Sequence, residues 1–255
     1  MEIEIAVLSK PGGRQYNEDA CGFWTSDSLC CAVVSDGAGG HGGGDVASKL
    51  VVSTILQDFS LDPQLSSAAI LESLRHANRT IIEHQRDERR LRDMRATGTV
   101  LLIDQRTEAA QWGHVGDSRV YCFRGGMVFM QTRDHSVIQS VIDGGVGDVS
   151  LLRTHPHRNL LLYALGSEDD FVPSVAEVPL TVRDGDAFLL CSDGWWEFVE
   201  ESAMERALGE AGSVQEWLDA MEAELLRCAK PGHDNYSAVA VWLGSRDETT
   251  VILAP

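Results

Sequence analysis

Two periods of apolar residues alternate along the chain. Residues 3–7, 20–24 and 29–35 read as strands, broken by Pro11-Gly12-Gly13 and by the polar turn Thr25-Ser26-Asp27-Ser28. The run from Asp36 to Gly44 is too glycine-rich for a regular element. Beyond it the period lengthens. A helix capped by Asp45 shows an apolar face of Val46, Leu50, Val51, Ile55 and Phe59, and a longer one over about 63–90 shows Leu65, Ile70, Leu74, Ala77, Ile81 and Ile82. The middle returns to period two, with short strands expected at 97–103, 109–115, 120–123 and 127–131 and a hairpin at Arg124-Gly125-Gly126. Residues 134–154 read as a short helix and an irregular excursion containing Gly144, Gly145 and Gly147. A strand at 187–191, a helix near 214–228 and a strand at 237–243 follow. Strands cluster early, in the middle and late, with paired helices between them. That order predicts an α+β fold of antiparallel sheets covered by helices, not a regular βαβ alternation. Without repeat or linker, the 255 residues read as a single domain.

Composition narrows the function. Apolar residues make up 44% and charged residues 24%, which suits a globular chain. The 39 acidic against 21 basic residues give a net charge of −18, which argues against nucleic acid or an anionic membrane surface as partner. The first five residues have no basic start and nowhere do about 18 apolar residues run together, so neither a secretory signal nor a membrane span is expected. Six cysteines without CxxC spacing, several inside apolar runs, predict reduced buried thiols and a cytoplasmic protein.

Acids beside glycines or in tight turns recur at the ends of the expected strands: Asn17-Glu18-Asp19, Asp36-Gly37, Gly116-Asp117-Ser118-Arg119, Ser192-Asp193-Gly194 and Asp234-Asn235. Any one would pass as ordinary turn chemistry. Five of them, three directly after an apolar strand or a Gly-His-Val-Gly turn, suggest convergence. Six carboxylates in one pocket would repel by roughly 1 kcal/mol or more per neighbouring pair, so they would need divalent cations. Oxygen-only ligands favour Mg²⁺ or Mn²⁺ over zinc. Competing motifs are weaker. Gly37 to Gly42 formally matches GxGxxG, but no parallel strand follows within the usual unit. No Walker loop, GxSxG elbow or CxxxxxR run is present. His155-Pro156-His157 reads as surface histidines, and Arg86, Arg89, Arg90, Arg92 and Arg95, interleaved with acids, read as a solvated helix face.

In order and spacing, these motifs resemble the metal-dependent serine/threonine phosphatases of the PP2C (PPM) family, in their compact bacterial form. The resemblance runs from about residue 5 to 243 and is carried by Arg14-Gln15-Tyr16-Asn17-Glu18-Asp19-Ala20, Asp36-Gly37-Ala38-Gly39-Gly40-His41, Ala96-Thr97-Gly98-Thr99, Gly113-His114-Val115-Gly116-Asp117-Ser118-Arg119, Arg133-Asp134-His135-Ser136, Ala164-Leu165-Gly166, Leu190-Cys191-Ser192-Asp193-Gly194 and Asp234-Asn235. It implies a four-layer α-β-β-α sandwich of two antiparallel sheets flanked by helix pairs. It implies two core Mn²⁺ or Mg²⁺ ions bridged by Asp36, one held by Asp193 and Asp234, the other by Glu18 and the Gly37 carbonyl. Asp19 would support the cluster, Asp117 with Asp193 would hold a third ion, and Arg14 would grip the substrate phosphate. Many eukaryotic members carry a histidine where this chain has Ala38; His41 is given no such role, so the proton donor stays open. Residues 134–163 correspond to a flap in which Arg153, His155 and Arg158 are expected to meet substrate. The implied partners are phosphorylated proteins and a cognate serine/threonine kinase pathway, with a monomer expected. Two alternatives are an inactive member that binds phosphoproteins, and a dedicated regulator phosphatase of a partner-switching pathway.

Overall fold

Strand β3 (Leu29–Ala38) explains the layering. Its side chains alternate between two apolar environments. Cys31 and Val33 belong to one core with the helices, while Cys30, Ala32 and Val34 belong to a second core between the sheets. Both faces are buried, so the sequence there is a continuous apolar run. The computed structural model describes residues 1–39 and 43–244; Gly40, His41 and Gly42 of the glycine run lie outside the described residues.

The chain begins with β1 (Ile3–Lys10) and β2 (Asp19–Thr25), and β3 leads into helices α1 (Gly44–Leu61) and α2 (Ser67–Asp87). Strands β4 (Arg95–Ala96), β5 (Gly98–Asp104), β6 (Ala109–Val115), β7 (Arg119–Arg124) and β8 (Met127–Gln131) follow. Two short helices, α3 (Val137–Asp143) and α4 (Leu151–Thr154), occupy the irregular segment. The last part holds β9 (Ser174–Val175), β10 (Leu180–Thr181), β11 (Ala187–Cys191), α5 (Asp193–Trp196), α6 (Glu201–Glu210), α7 (Val214–Cys228) and β12 (Tyr236–Leu243). One sheet has the order β1-β12-β11-β7-β8. The other runs β10-β6-β5-β3-β2, with β4 on β3 and β9 on β6. The named strand pairings are antiparallel.

Three apolar cores separate four layers. Ile55, Leu74 and Ile81 of α1 and α2 pack on the outer face of the seven-stranded sheet. Val120, Phe188, Leu190 and Val239 meet Ala32 and Leu101 between the sheets. Tyr121, Phe123 and Leu189 point the other way, against Met204 of α6 and Trp217 and Met221 of α7. The expected α+β class and sandwich are therefore observed, the longer strands feeding two cores through their period of two.

Several boundaries differ from expectation. The second helix starts at Ser67 rather than near 63, because the Ser66 hydroxyl accepts the Ala69 N–H and caps it there. Asp45 lies in the first turn of α1, with Gly43 at the cap position, so its charge faces the helix N-terminus without capping it. β3 extends through Asp36 and Gly37, which places Asp36, the acid expected to bridge two ions, inside a strand. Strands β4, β9 and β10 and helices α5 and α6 have no counterpart among the expected elements. All six cysteines are unpaired thiols, four of them buried. Among the described residues no helix is long and apolar enough to cross a membrane.

Buried between β7 and the segment after β8 is an ion pair. Arg119 donates Nε and Nη2 to the two Asp134 oxygens at 2.8 Å, and Nη1 to the Tyr121 hydroxyl at 2.9 Å. Both charged side chains are at most 2% exposed. Removing one partner strands the other charge in the core, so Asp134→Ala is expected to lower unfolding free energy by about 3–5 kcal/mol in a denaturant titration. A loss below about 1 kcal/mol would mean the guanidinium finds water or another acid.

Candidate active site

Strand register gathers the acids at one end of the sandwich. Asp19 opens β2 and pairs directly with Asp36 near the end of β3. In the other sheet Cys191 sits between Arg119 and Ala238, so Asp117, Asp193 and Asp234 leave from the same end. A cleft of about 270 Å³ there is lined by Arg14, Glu18, Asp36, Gly37, Asp117, Asp193 and Asp234, with Arg95 from β4 and Asn159, Leu161 and Ala164 from the irregular segment. Of the eight residues expected at the site, seven line this cleft. Asp19 stands behind it, buried.

Close backbone approaches make the geometry possible. A Cβ on Gly37 would lie 1.9 Å from the Gly44 carbonyl oxygen, and one on Gly194 would lie 2.0 Å from that of Asn235. Only glycine lets β3 meet the start of α1, and lets α5 meet the turn before β12. Thr97 locks the end of β3: its hydroxyl accepts the Asp36 N–H at 2.9 Å and lies 2.6 Å from the Ser118 hydroxyl, beside Asp117. Asn235 fixes the loop carrying Arg14 and Glu18. Its amide donates to the Pro11 and Tyr16 carbonyls, and its Oδ1 accepts the Glu18 N–H, each at 2.8 Å.

The electrostatics are adverse as long as the acids are alone. Burial raises Asp19 to about 6, against the opposing Ser192 and Ser237 hydroxyls. Asp117 is raised to about 7, by burial first and then by Asp134, with Arg119 opposing. Asp36 and Asp193 are pushed well above the usual carboxylate range, by burial and then by their acidic neighbours. Asp234 accepts Arg14 Nη2 on Oδ2 at 2.9 Å and its neighbour's N–H on Oδ1.

The donor set suits a hard divalent cation. The cleft offers five carboxylates against two guanidiniums and neither imidazole nor thiol among the described residues. One oxygen of Asp19 accepts the Ser192 hydroxyl at 2.7 Å; the other is buried without a hydrogen-bond partner. Such an oxygen is suited to a cation or an ordered water. Among the described residues no group of three or more His, Cys, Asp or Glu side chains is placed to hold a metal ion as it stands; the acids border an open cleft.

Two expectations change. Arg153 turns inward, giving Nε to the Trp196 carbonyl and Nη2 to both Glu201 oxygens, and Arg158 pairs with Glu197. His155 is half-buried, with its Nδ1 accepting the His157 N–H. Half-buried acids nearby, Glu201 and Glu197, draw these guanidiniums in, and the segment meets the cleft through Asn159 and Leu161 instead. Arg95, read as part of a solvated helix face, belongs to β4 and lines the cleft. Its place just before Ala96-Thr97 was the available signal. Thr97 and Asn235 also lay inside recognised motifs, but their hydrogen bonds are long-range and carry no local signature.

Comparison with known proteins agrees with this geometry. The chain is 31% identical over 212 residues to the serine/threonine phosphatase stp of Listeria monocytogenes serotype 4b, covering 81% of this chain and 82% of that one. Among solved structures, the serine/threonine phosphatase PstP/Ppp of Mycobacterium tuberculosis superposes with a TM-score of 0.82 at 30% identity, covering 95% of this chain and 99% of that one. The catalytic domain of PstP in complex with two manganese ions gives 0.81 at 28% identity, with the same coverage. The family model described as protein phosphatase 2C matches residues 12–228. With its sandwich, its ring of acids and this match over most of its length, the chain belongs to the protein phosphatase 2C family.

Proposed function

We propose that the cleft at the end of the sandwich holds divalent cations on Glu18, Asp36, the Gly37 carbonyl, Asp193 and Asp234, and that Arg14 presents the phosphate of a phosphorylated protein to them. The chain is a protein serine/threonine phosphatase, and its family is metal-dependent. One observation carries the assignment of the site: five carboxylates from separate parts of the chain line one cleft with Arg14, with neither imidazole nor thiol among its described lining residues. Asp19 supports the cluster from behind, with its unpartnered oxygen as the feature that suits a cation or its water. Asp117, facing Asp193, is assigned to a third ion.

Mn²⁺ or Mg²⁺ in this cleft would supply Lewis acidity, lowering the pKa of water and offsetting phosphate charge. The protein's own residues do the rest. Arg14, half-exposed and held by Asp234, pairs two phosphate oxygens with a fork that stays charged at any working pH. Thr97 and Asn235 keep Asp36 and the Arg14 loop at fixed spacing, so the phosphorus is presented in one orientation. Ala38 supplies no proton to the leaving alkoxide, which leaves that proton to water or to a neighbouring acid. Residues 134–163 act as the flap, within a single domain spanning 1–255. The substrate class requires a serine/threonine kinase upstream, and the unpaired buried thiols suit a reducing cytoplasm. An inactive, binding-only member would have no need of the full acid set.

Three measurements test this reading. Hydrolysis of a phosphothreonine peptide is expected to stop with EDTA, return with Mn²⁺, and fall by about 100-fold or more in Asp193→Asn; turnover that persists in EDTA would refute the metal-dependent site. Arg14→Ala is expected to raise KM roughly 10- to 100-fold, the worth of a charged hydrogen bond, with kcat little changed. A loss confined to kcat would move Arg14 from substrate binding to the transition state.

The third measurement concerns pH. Asp19 and Asp117 have folded-state values near 6 and 7, above the ordinary value of 3.8. A raised acid stabilises the fold fully below its unfolded value and loses that contribution as pH rises through the folded value. Metal-free protein should therefore lose thermal stability between about pH 4 and 7, and Mn²⁺ should raise the midpoint more at pH 8 than at pH 5. A metal-free midpoint that climbs across that window would contradict the crowding of these acids.

A further inference from the structure

Trp196 is the last residue of α5, the short helix that opens on Asp193. Its side chain is buried, and its Nε1–H donates to the main-chain carbonyl of Asp117 at 2.9 Å. Asp117 and Asp193 leave different strands through different turns, and their like charges push them apart. The indole hydrogen bond ties the backbone of one acid to the helix of the other. The ring that makes it is itself held. The Arg119 guanidinium lies 3.6 Å from the ring centroid and is fixed by Asp134 and Tyr121. Arg153, from α4, lies 5.9 Å from the same centroid and donates to the Trp196 carbonyl at 3.0 Å. Glu201 joins these elements, accepting from both Arg153 and the Tyr121 hydroxyl.

We propose that Trp196 is a positioning residue that sets the spacing of Asp117 and Asp193, and through it the affinity for the cation those two acids share. Arg153 extends this control to residues 134–163, because the docking of α4 is what braces the Trp196 carbonyl. The inference rests on the reading of the cleft acids as cation ligands. It assigns the pair of arginines around Trp196 a task that substrate contact would not explain: they hold the ring whose N–H reaches the Asp117 carbonyl, so that the turn bearing Asp117 is tied to α5. Asp36 and Asp234 are fixed by other contacts, to Thr97 and to the backbone of Asn235, and Asp193 stays in α5, its carbonyl accepting the Glu197 N–H, so losing the indole bond should release Asp117 and weaken chiefly the ion that needs it.

Trp196→Phe tests this, since it keeps an aromatic ring for the guanidiniums while removing the N–H, along with part of the buried indole. Metal-free wild type titrated calorimetrically with Mn²⁺ should show tight uptake and a weaker event. In the variant the weaker event should be lost or weakened about tenfold, as expected for one buried hydrogen bond and an acceptor left without its donor, with tight uptake unchanged. Arg153→Met should weaken the same event about threefold. On a phosphothreonine peptide, Trp196→Phe should need more Mn²⁺ for half-maximal rate yet recover kcat at saturation, a split that general destabilisation would not produce. A variant isotherm superimposable on wild type would overturn the inference. So would a wild-type isotherm without a weaker event, or an equal loss in every event together with a lowered unfolding midpoint. Wild type that takes up no Mn²⁺ at all would instead sink the cation-site reading, and this inference with it.

Discussion

Everything at the active end of this protein follows from the repulsion among its buried carboxylates. Two like charges about 5 Å apart at an effective dielectric of ~20 oppose each other by roughly 3 kcal/mol. Asp36 feels Asp19, Asp193, Asp117 and Asp234 together. Against a total stability of about 5–15 kcal/mol for a domain of this kind, such a cluster persists only where its backbone attachments are rigid. Sheet ends provide that rigidity. Asp19 and Asp36 are a register pair in one sheet, and Asp117, Asp193 and Asp234 flank adjacent strands of the other. The three apolar cores behind them supply the compensating burial.

Rigidity at the strand ends is extended into the turns by side chains that are not themselves acidic. Thr97 ties β3 to the Ser118 hydroxyl, and Ser192 joins Asp19 to the Ser237 N–H of β12. Asn235 uses three hydrogen bonds on the loop that bears Arg14 and Glu18. None of these is a ligand in the proposed chemistry. Each removes a freedom that like charges would otherwise exploit, so that the acids of the proposed cation site have their spacing already set. This is the sense in which the motifs around the acids, and not the acids alone, define the site.

Much of this was legible in the sequence, for reasons that can be named. The apolar runs at Leu29–Ala38 and Ala187–Cys191 are continuous because each strand faces two cores, and the turns carry acids beside glycines. The α+β class and the ring of acids therefore followed from local pattern, with the family resemblance supplying the layer order and the individual roles. What was missed is non-local or weak. Helix α6 buries only Ala203, Met204 and Leu208, too few apolar positions to outweigh its polar residues. β9 and β10 are two residues each and exist only as partners of β6. Arg153 and Arg158 looked free in a loop, because the acids that claim them, Glu201 and Glu197, lie some 40 residues further along.

The inward turn of those arginines bears on how an acidic protein admits an anionic substrate. The whole chain carries −18, and a phosphoprotein approaching it would be repelled at long range; yet fields beyond about 10 Å are screened at ordinary ionic strength, and the last contacts are set by what lines the cleft. With Arg153 and Arg158 engaged elsewhere, Arg14 and Arg95 are the guanidiniums lining it among the described residues. Arg14 is held by Asp234 at 2.9 Å, so an acid assigned to a cation also holds the group assigned to phosphate. In the proposed site, a cation drawing charge from Asp234 would weaken its hold on Arg14 and leave the fork to substrate. On that reading metal loading and phosphate recognition would be coupled through Asp234, and the balance of charge in the cleft would shift from mutual repulsion of acids toward capture of an anion.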